Sequence, residues 1–350
     1  MTAQNNHKDI AINVRNSFES LKFTSAVQEY IPDISLPDYH ATGTLHSDAV
    51  VMKDSTTYAV LRAVAHEPIT EVSIGLTPAW WTSTRGHNRH TIEHFMRLGV
   101  SGIAIGIEGS YRNPDKVPFT LHMQSLQEHS LLRAAHHMHK ILDTVQSNSD
   151  KLHIETEDMI LLGESRGAMV GKGVLALADL YKRNIPYADL TAPCFPQKFS
   201  MSKTPDLLKQ IAQEPWEFAK LVGSISLRNM VHYPASLDAH PKAIMNNILA
   251  GPTLFSGESG ELANLIPKVQ NMHITTFHDD FASMPHVWED IYAEHQNVRI
   301  ERIEGAHLTI AHSKTLEHID KRIFALLIEM EHCGSRQADS IDFHKVHLGQ

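Results

Sequence analysis

The sequence predicts an α/β fold with a mostly parallel eight-stranded sheet, helices on both faces, and a helical lid inserted after the sixth strand. Three observations carry that prediction. Two β-branched-rich runs, 41–52 and 57–65, are separated only by Lys53-Asp54-Ser55-Thr56, the pattern of an antiparallel hairpin. From residue 69 onward, apolar runs of strand length alternate with helical spacing, which builds parallel strands through helical crossovers. Between about 198 and 268 the alternation lapses and then resumes, so that stretch reads as an insertion between two strands.

Taken in order, residues 1–40 form an N-terminal extension with a short helix expected at 17–30, broken beyond it by Pro32 and Pro37. After the hairpin, a third strand at 69–76 stops at Thr77-Pro78. A helix at 90–98 closes on Gly99, and 101–107 is a buried central strand of Gly, Ile and Ala. Residues 119–146 read as one long amphipathic helix through Leu126, Leu131, Leu132, Ala135, Met138, Ile141, Leu142 and Val145. Strand 158–162 leads into a helix at 167–183, and strand 187–191 ends before Pro193 and Pro196. The insertion carries Trp216, Phe218, Leu221, Met230 and Met245 in helical patterns broken by Pro205, Pro215, Pro234, Pro241 and Pro252. Strand 272–277, helix 286–295, strand 298–303 and helix 313–331 complete the core, which spans 41–197 and 269–333. A polar tail covers 334–350.

Composition narrows the function. The chain of 350 residues is 42% hydrophobic and 20% charged, ordinary for a globular protein, and its formal net charge of −9 argues against a nucleic-acid partner. No apolar run approaches the ~20 residues a membrane span needs. The N-terminus lacks the basic and apolar segments of a signal peptide, so the expected location is cytoplasmic. Cys194 and Cys333 make neither a disulfide framework nor a zinc site, and read as packed thiols.

Chemistry concentrates in Gly163-Glu164-Ser165-Arg166-Gly167. An apolar strand runs into it and a helix comes after it, the layout of a nucleophile elbow. A serine on such a turn approaches its own backbone closely, so a side chain at either glycine would clash. The pentapeptide alone is a weak signal, and its value depends on its surroundings. After strand 272–277 comes His278-Asp279-Asp280-Phe281, and after strand 298–303 comes Glu304-Gly305-Ala306-His307-Leu308.

Eight strands, an elbow on the fifth, an insertion after the sixth, and Gly-Ala-His after the eighth resemble the α/β-hydrolase superfamily over residues 41–331. The resemblance implies a triad in the order Ser165, Asp280, His307, with His307 as general base and acid and Asp280 orienting it. Asp279, next to Asp280, is the rival acid. One oxyanion donor is implied at the Arg166 amide and the other in Thr77-Pro78-Ala79-Trp80-Trp81. There the family's usual His-Gly pair is missing, and Pro78 has no amide hydrogen, so Ala79 or Trp80 must donate. Trp80 and Trp81 are candidate walls of an acyl pocket, or pack beneath the lid.

The implied activity is hydrolysis of a carboxylic ester or related acyl bond of a small molecule, with no cofactor and no metal. The lid's aromatic and Met content points to a partly apolar substrate, while Arg166 and Arg112 leave room for an anionic group. A peptidase or acyltransferase on the same triad, a metal-dependent hydrolase, or a non-catalytic binding protein of the same fold remain alternatives. Several look-alikes stand apart. Gly257-Glu258-Ser259-Gly260 lacks the second spacing and a preceding strand. His87, His90 and His94 share a helix face without a carboxylate or Cys to complete a metal set. His136, His137 and His139 fall on the expected wet face of their helix. Glu108-Gly109-Ser110-Tyr111-Arg112 comes after the fourth strand and lines a cleft or serves as a plain loop.

Overall fold

The computed structural model describes residues 10–11, 17–26, 40–52, 57–66, 68, 70–78, 99–106, 123, 130–194, 262, 265–266, 271–280, 282–305 and 313–333. The strands are β1 (Ile10–Ala11), β2 (Ser17–Ala26), β3 (His40–Met52), β4 (Thr57–Ala65), β5 (Ser73–Thr77), β6 (Gly102–Gly106), β7 (Met159–Glu164), β8 (Tyr187–Thr191), β9 (Asn271–Phe277) and β10 (Val298–Ile303). The helices are α1 (Leu132–Gln146), α2 (Ser149–Leu152), α3 (Arg166–Leu177), α4 (Pro285–Tyr292) and α5 (Ser313–Cys333). The eight expected strands are β3 to β10, and two N-terminal strands add to them in one ten-stranded sheet ordered β1-β3-β4-β6-β5-β7-β8-β9-β10, with β2 also on β3.

The hairpin β3–β4 is antiparallel, with Val51 opposite Thr57, and β4 runs antiparallel to β6. From β6 onward every neighbour is parallel. The chain reaches β5, steps back to β6, and then crosses to β7, so β5 lies between the two. Such a reversal opens a crevice outside the carboxyl ends of the strands, and the loops after β5, β7, β8, β9 and β10 all leave the sheet on that edge.

Strand alternation separates two cores. Ile103 and Ile105, Met159 and Leu161, Ala188 and Leu190, and Met272 and Ile274 point to the face packed by α1, α3 and α4. Ile74, Leu76, Ala104, Ile160, Leu162 and Tyr187 point to the face packed by α5 through Ile319, Ile323, Phe324 and Leu327. The period of two puts polar Asp189, His273, Thr275 and Glu301 on the α5 side as well.

Three expectations fail in whole or in part, each for a local reason. Residues 17–26 form strand β2 rather than a helix, with Ala26 opposite His40 and Ser17 opposite Ser47. Serine and threonine are weak helix formers, Leu21 and Phe23 sit at strand spacing, and the edge of β3 supplies the ladder. Of the long helix expected at 119–146, α1 forms only from Leu132: Ser130 and Leu131 are not helical, and the Leu132 amide donates to the Ser130 hydroxyl (3.1 Å), while nearly all of 119–129 lies outside the described residues. The helix expected at 167–183 becomes α3 and then a single 3₁₀ turn, Asp179–Tyr181. It closes with Lys182 left-handed (φ 53°) and the Arg183 amide bonded back to the Ala178 carbonyl (3.0 Å). The helix expected at 90–98 and nearly all of the 198–268 insertion lie outside the described residues.

Candidate active site

Ser165 sits between β7 and α3 with φ 53° and ψ −119°, a conformation that costs a non-glycine residue of order 1–3 kcal/mol and persists only where its surroundings enforce it. The enforcement is visible. The Ser165 amide donates to the Thr191 carbonyl at the end of β8 (2.8 Å), and the Ala168 amide closes the first turn of α3 on the Ser165 carbonyl (3.1 Å). A Cβ at Gly163 would lie 2.7 Å from Ala168 Cα, and one at Gly167 would overlap the carbonyl oxygens of both Thr77 and Pro78. Both glycines of the elbow are therefore required by close approach. The second contact presses the start of α3 against the end of β5, and the Thr77 hydroxyl adds a bond to the Leu162 carbonyl (3.0 Å). The positive end of the α3 dipole lies at Ser165 and favours negative charge there.

The two candidate acids come after β9. Asp279 is exposed, whereas Asp280 is buried. One Asp280 carboxylate oxygen accepts from the amides of Ala282 (2.8 Å) and Ser283 (2.9 Å), which fixes the side chain in a tight turn ahead of α4. Burial and these two bonds set Asp280 apart from its exposed neighbour. The loop after β10 is tied to this one: the His278 amide donates to the Ile303 carbonyl and the Asp279 amide to the Gly305 carbonyl, each 3.0 Å. Gly305 adopts φ 127°, which only glycine takes readily. His307, two residues further on, lies outside the described residues, as do Ala79, Trp80, Trp81, Arg112, His87, His90 and His94.

Arg166, the first residue of α3, carries one of the two implied oxyanion amides, and its side chain is among the largest fully buried ones in the protein. It packs inside the fold rather than standing out from it. Cys194 differs from its sequence reading as a plain packed thiol. It is buried, but its Sγ lies 3.0 Å from Ser165 Oγ. The only signal for this in the sequence is its place just after the strand that neighbours the elbow's own strand. His139, expected on a wet helix face, is fully buried. It bonds the Val174 carbonyl (2.9 Å), stacks on Tyr181 and accepts from Arg183, and burial lowers its pKa to about 3. Among the described residues no cluster of His, Cys, Asp and Glu could hold a metal ion, and no helix is long and apolar enough to cross a membrane.

No family model matches the chain, and no curated protein matches it. Solved structures do. The chain is similar to the esterase Est22 at 10% identity and a TM-score of 0.50, over 86% of this chain and 84% of that one. It is similar to a hypothetical protein from Pseudomonas aeruginosa at 12% identity and the same TM-score, over 88% and 99%. Est1E from Butyrivibrio proteoclasticus aligns over 81% and 99% at 14% identity, with a TM-score of 0.48. Such identities speak for the fold, and the strand order with its antiparallel start and its reversal at β5 agrees: the chain has the α/β-hydrolase fold.

Proposed function

We propose that the protein is a serine hydrolase that cleaves a carboxylic ester, or a related acyl bond, of a small molecule through an acyl-enzyme. The observation that carries this reading is the strained backbone of Ser165, held at the carboxyl edge of the sheet by two glycine contacts and a bond to β8. Strain of this kind is retained where it has a use. In the proposed mechanism His307 takes the Ser165 hydroxyl proton, the oxygen attacks the substrate carbonyl, and the leaving group departs with that proton. Water then repeats the steps on the acyl-enzyme. Asp280 orients His307, a role that suits a buried carboxylate with one oxygen already committed to backbone amides. The Arg166 amide and one from Ala79 or Trp80 form the oxyanion hole, while Trp80, Trp81 and the 198–268 lid shape an acyl pocket. Est22, an esterase by its description, points the same way for substrate class.

The test pairs a fluorophosphonate probe with nitrophenyl esters of graded chain length. Wild type is expected to label at Ser165 and to turn over the shorter esters, and Ser165→Ala to lose both. Asp280→Asn is expected to lower kcat by roughly 10³–10⁴-fold and Asp279→Asn by less than about threefold. Folded protein that neither labels nor hydrolyses any ester would leave a binding protein of this fold as the better reading.

A further inference from the structure

Two strained turns stand side by side at the carboxyl edge. Ser165 after β7 has φ 53°, and Ala192 after β8 has φ 48°, both non-glycine residues in the left-handed region. The second turn is pinned as firmly as the first. The Ala192 amide donates to the Thr275 carbonyl on β9 (2.7 Å), and the Pro193 carbonyl accepts from Trp288 Nε1 of α4 (3.3 Å). Between them lies a contact, Ser165 Oγ to Cys194 Sγ at 3.0 Å, between residues that are only 7% and 3% exposed.

From this geometry we infer that Cys194 is a positioning residue for the Ser165 hydroxyl, its thiol donating a hydrogen bond to Oγ. This rests on the hydrolase reading of Ser165. A hydroxyl has one hydrogen to give and two lone pairs to receive with. If the general base is to take the hydrogen, a neighbouring group that bonds Oγ must do so as donor. A thiol is a weak donor, and a second acceptor, the Ala192 carbonyl, is 3.9 Å from it, so the bond to Oγ is favoured over that one by nearly an ångström. A thiol donor fixes the rotamer and lone-pair direction of the nucleophile without withdrawing much electron density from it.

The experiment uses the full chain and measures three things. In ester hydrolysis, Cys194→Ala is expected to lower kcat about five- to tenfold, the rate equivalent of one neutral hydrogen bond, with KM within twofold. Cys194→Ser keeps a donor and is expected to recover most of that loss. The rate of fluorophosphonate labelling is expected to follow kcat across the same variants. In the Cys333→Ser background, where Cys194 supplies the only S–H stretch, Ser165→Ala is expected to move that Raman band to higher frequency as the acceptor is lost. An unmoved band, or an Ala variant that labels at the wild-type rate, overturns the positioning role and leaves the hydrolase reading intact. Equal losses in the Ala and Ser variants with a matching fall in Tm also overturn it, since they indicate packing alone. Wild type that never labels at Ser165 overturns both.

Discussion

The two faces of the sheet hold their helices in different ways. On the α3 face, the elbow helix is seated by the absence of side chains: Gly163, Gly167, Gly171 and Gly173 each leave room for a neighbour that a Cβ would meet at 3.3 Å or closer. The polar cluster on this side, Arg183 with Asp143, His139, Tyr181 and the Thr156 carbonyl, sits at the rim between α1 and the 3₁₀ turn. On the α5 face, charge reaches the sheet itself. Arg322 bonds Asp189 of β8 (2.8 Å), Thr275 of β9 (3.0 Å) and Glu301 of β10 (2.7 Å), and Tyr187 adds a bond to Asp189. Burial disfavours the Arg322 charge, but Asp189, Tyr187 and Glu301 override it and raise its pKa. Burial likewise opposes the Glu301 charge, and bonds from His273 and His318 together with Arg322 hold its carboxyl far below the usual range. One guanidinium thus clamps three adjacent strands whose ends carry the elbow's neighbours and both remaining site loops. Close contact at the glycines positions Ser165, and an ionic clamp positions the strands that lead to its proposed partners, Asp280 and His307.

The sharpest way to break the comparison is Gly167→Ala. Its added methyl meets two backbone oxygens that cannot yield cheaply, so it is expected to cost more than about 4 kcal/mol and to abolish activity, read by urea denaturation and ester turnover. Arg322→Ala should come close behind, costing about 3–5 kcal/mol because it strands the buried Asp189 carboxylate and leaves the half-buried Glu301 without its guanidinium, while Arg322→Met, of similar volume, costs no less so long as Asp189 and Glu301 remain. Arg183→Ala, whose guanidinium is buried but whose Asp143 partner is partly exposed, should cost less, about 2–3 kcal/mol, because it strands no fully buried carboxylate. A rim cluster as costly as the clamp would erase the distinction.

Acid supplies a finer test. The pKa of His139 is depressed to about 3, chiefly by burial, so the unfolded chain binds the proton more readily than the folded one. Its contribution is complete above about pH 6.5 and declines as pH falls toward 3, with about 2 kcal/mol gone by pH 5. Replacing His139 with Gln should flatten the fall in urea stability between pH 8 and pH 5 by roughly that amount. Glu301 behaves otherwise. Its pKa is depressed, so its share of stability persists down to the ordinary carboxylate range and is lost only below it. His273 beside it is also lowered, by burial and by Arg322, and adds an acid-sensitive part to the α5 face that the His139 variant leaves untouched.

Much of this architecture was legible in residue patterns. Strand series, hairpin and elbow arise from period-two apolar runs and from glycine spacing, which are local properties. The features that escaped were set by neighbours remote in sequence. Residues 17–26 carry weak local preference, and the edge of β3 decides their state. His139 has the spacing of a rim residue, yet Tyr181 and Arg183 close over it from the 3₁₀ turn beyond α3 and the residues just after it. Asp279 and Asp280 are chemically identical, and only the turn at Ala282-Ser283 buries one of them. Cys194 meets Ser165 because β7 and β8 are parallel neighbours, which no single stretch of sequence states.

The paired bonds from His278 and Asp279 to Ile303 and Gly305 carry a lesson for redesign. The loops after β9 and β10 are stitched into one graft. Transplanting either alone, or changing its length by a residue, would slip the stitch and move Asp280 relative to the stretch that leads on to His307. A library meant to test the proposed activity should exchange the two loops as a unit, or leave both untouched and vary the 198–268 insertion.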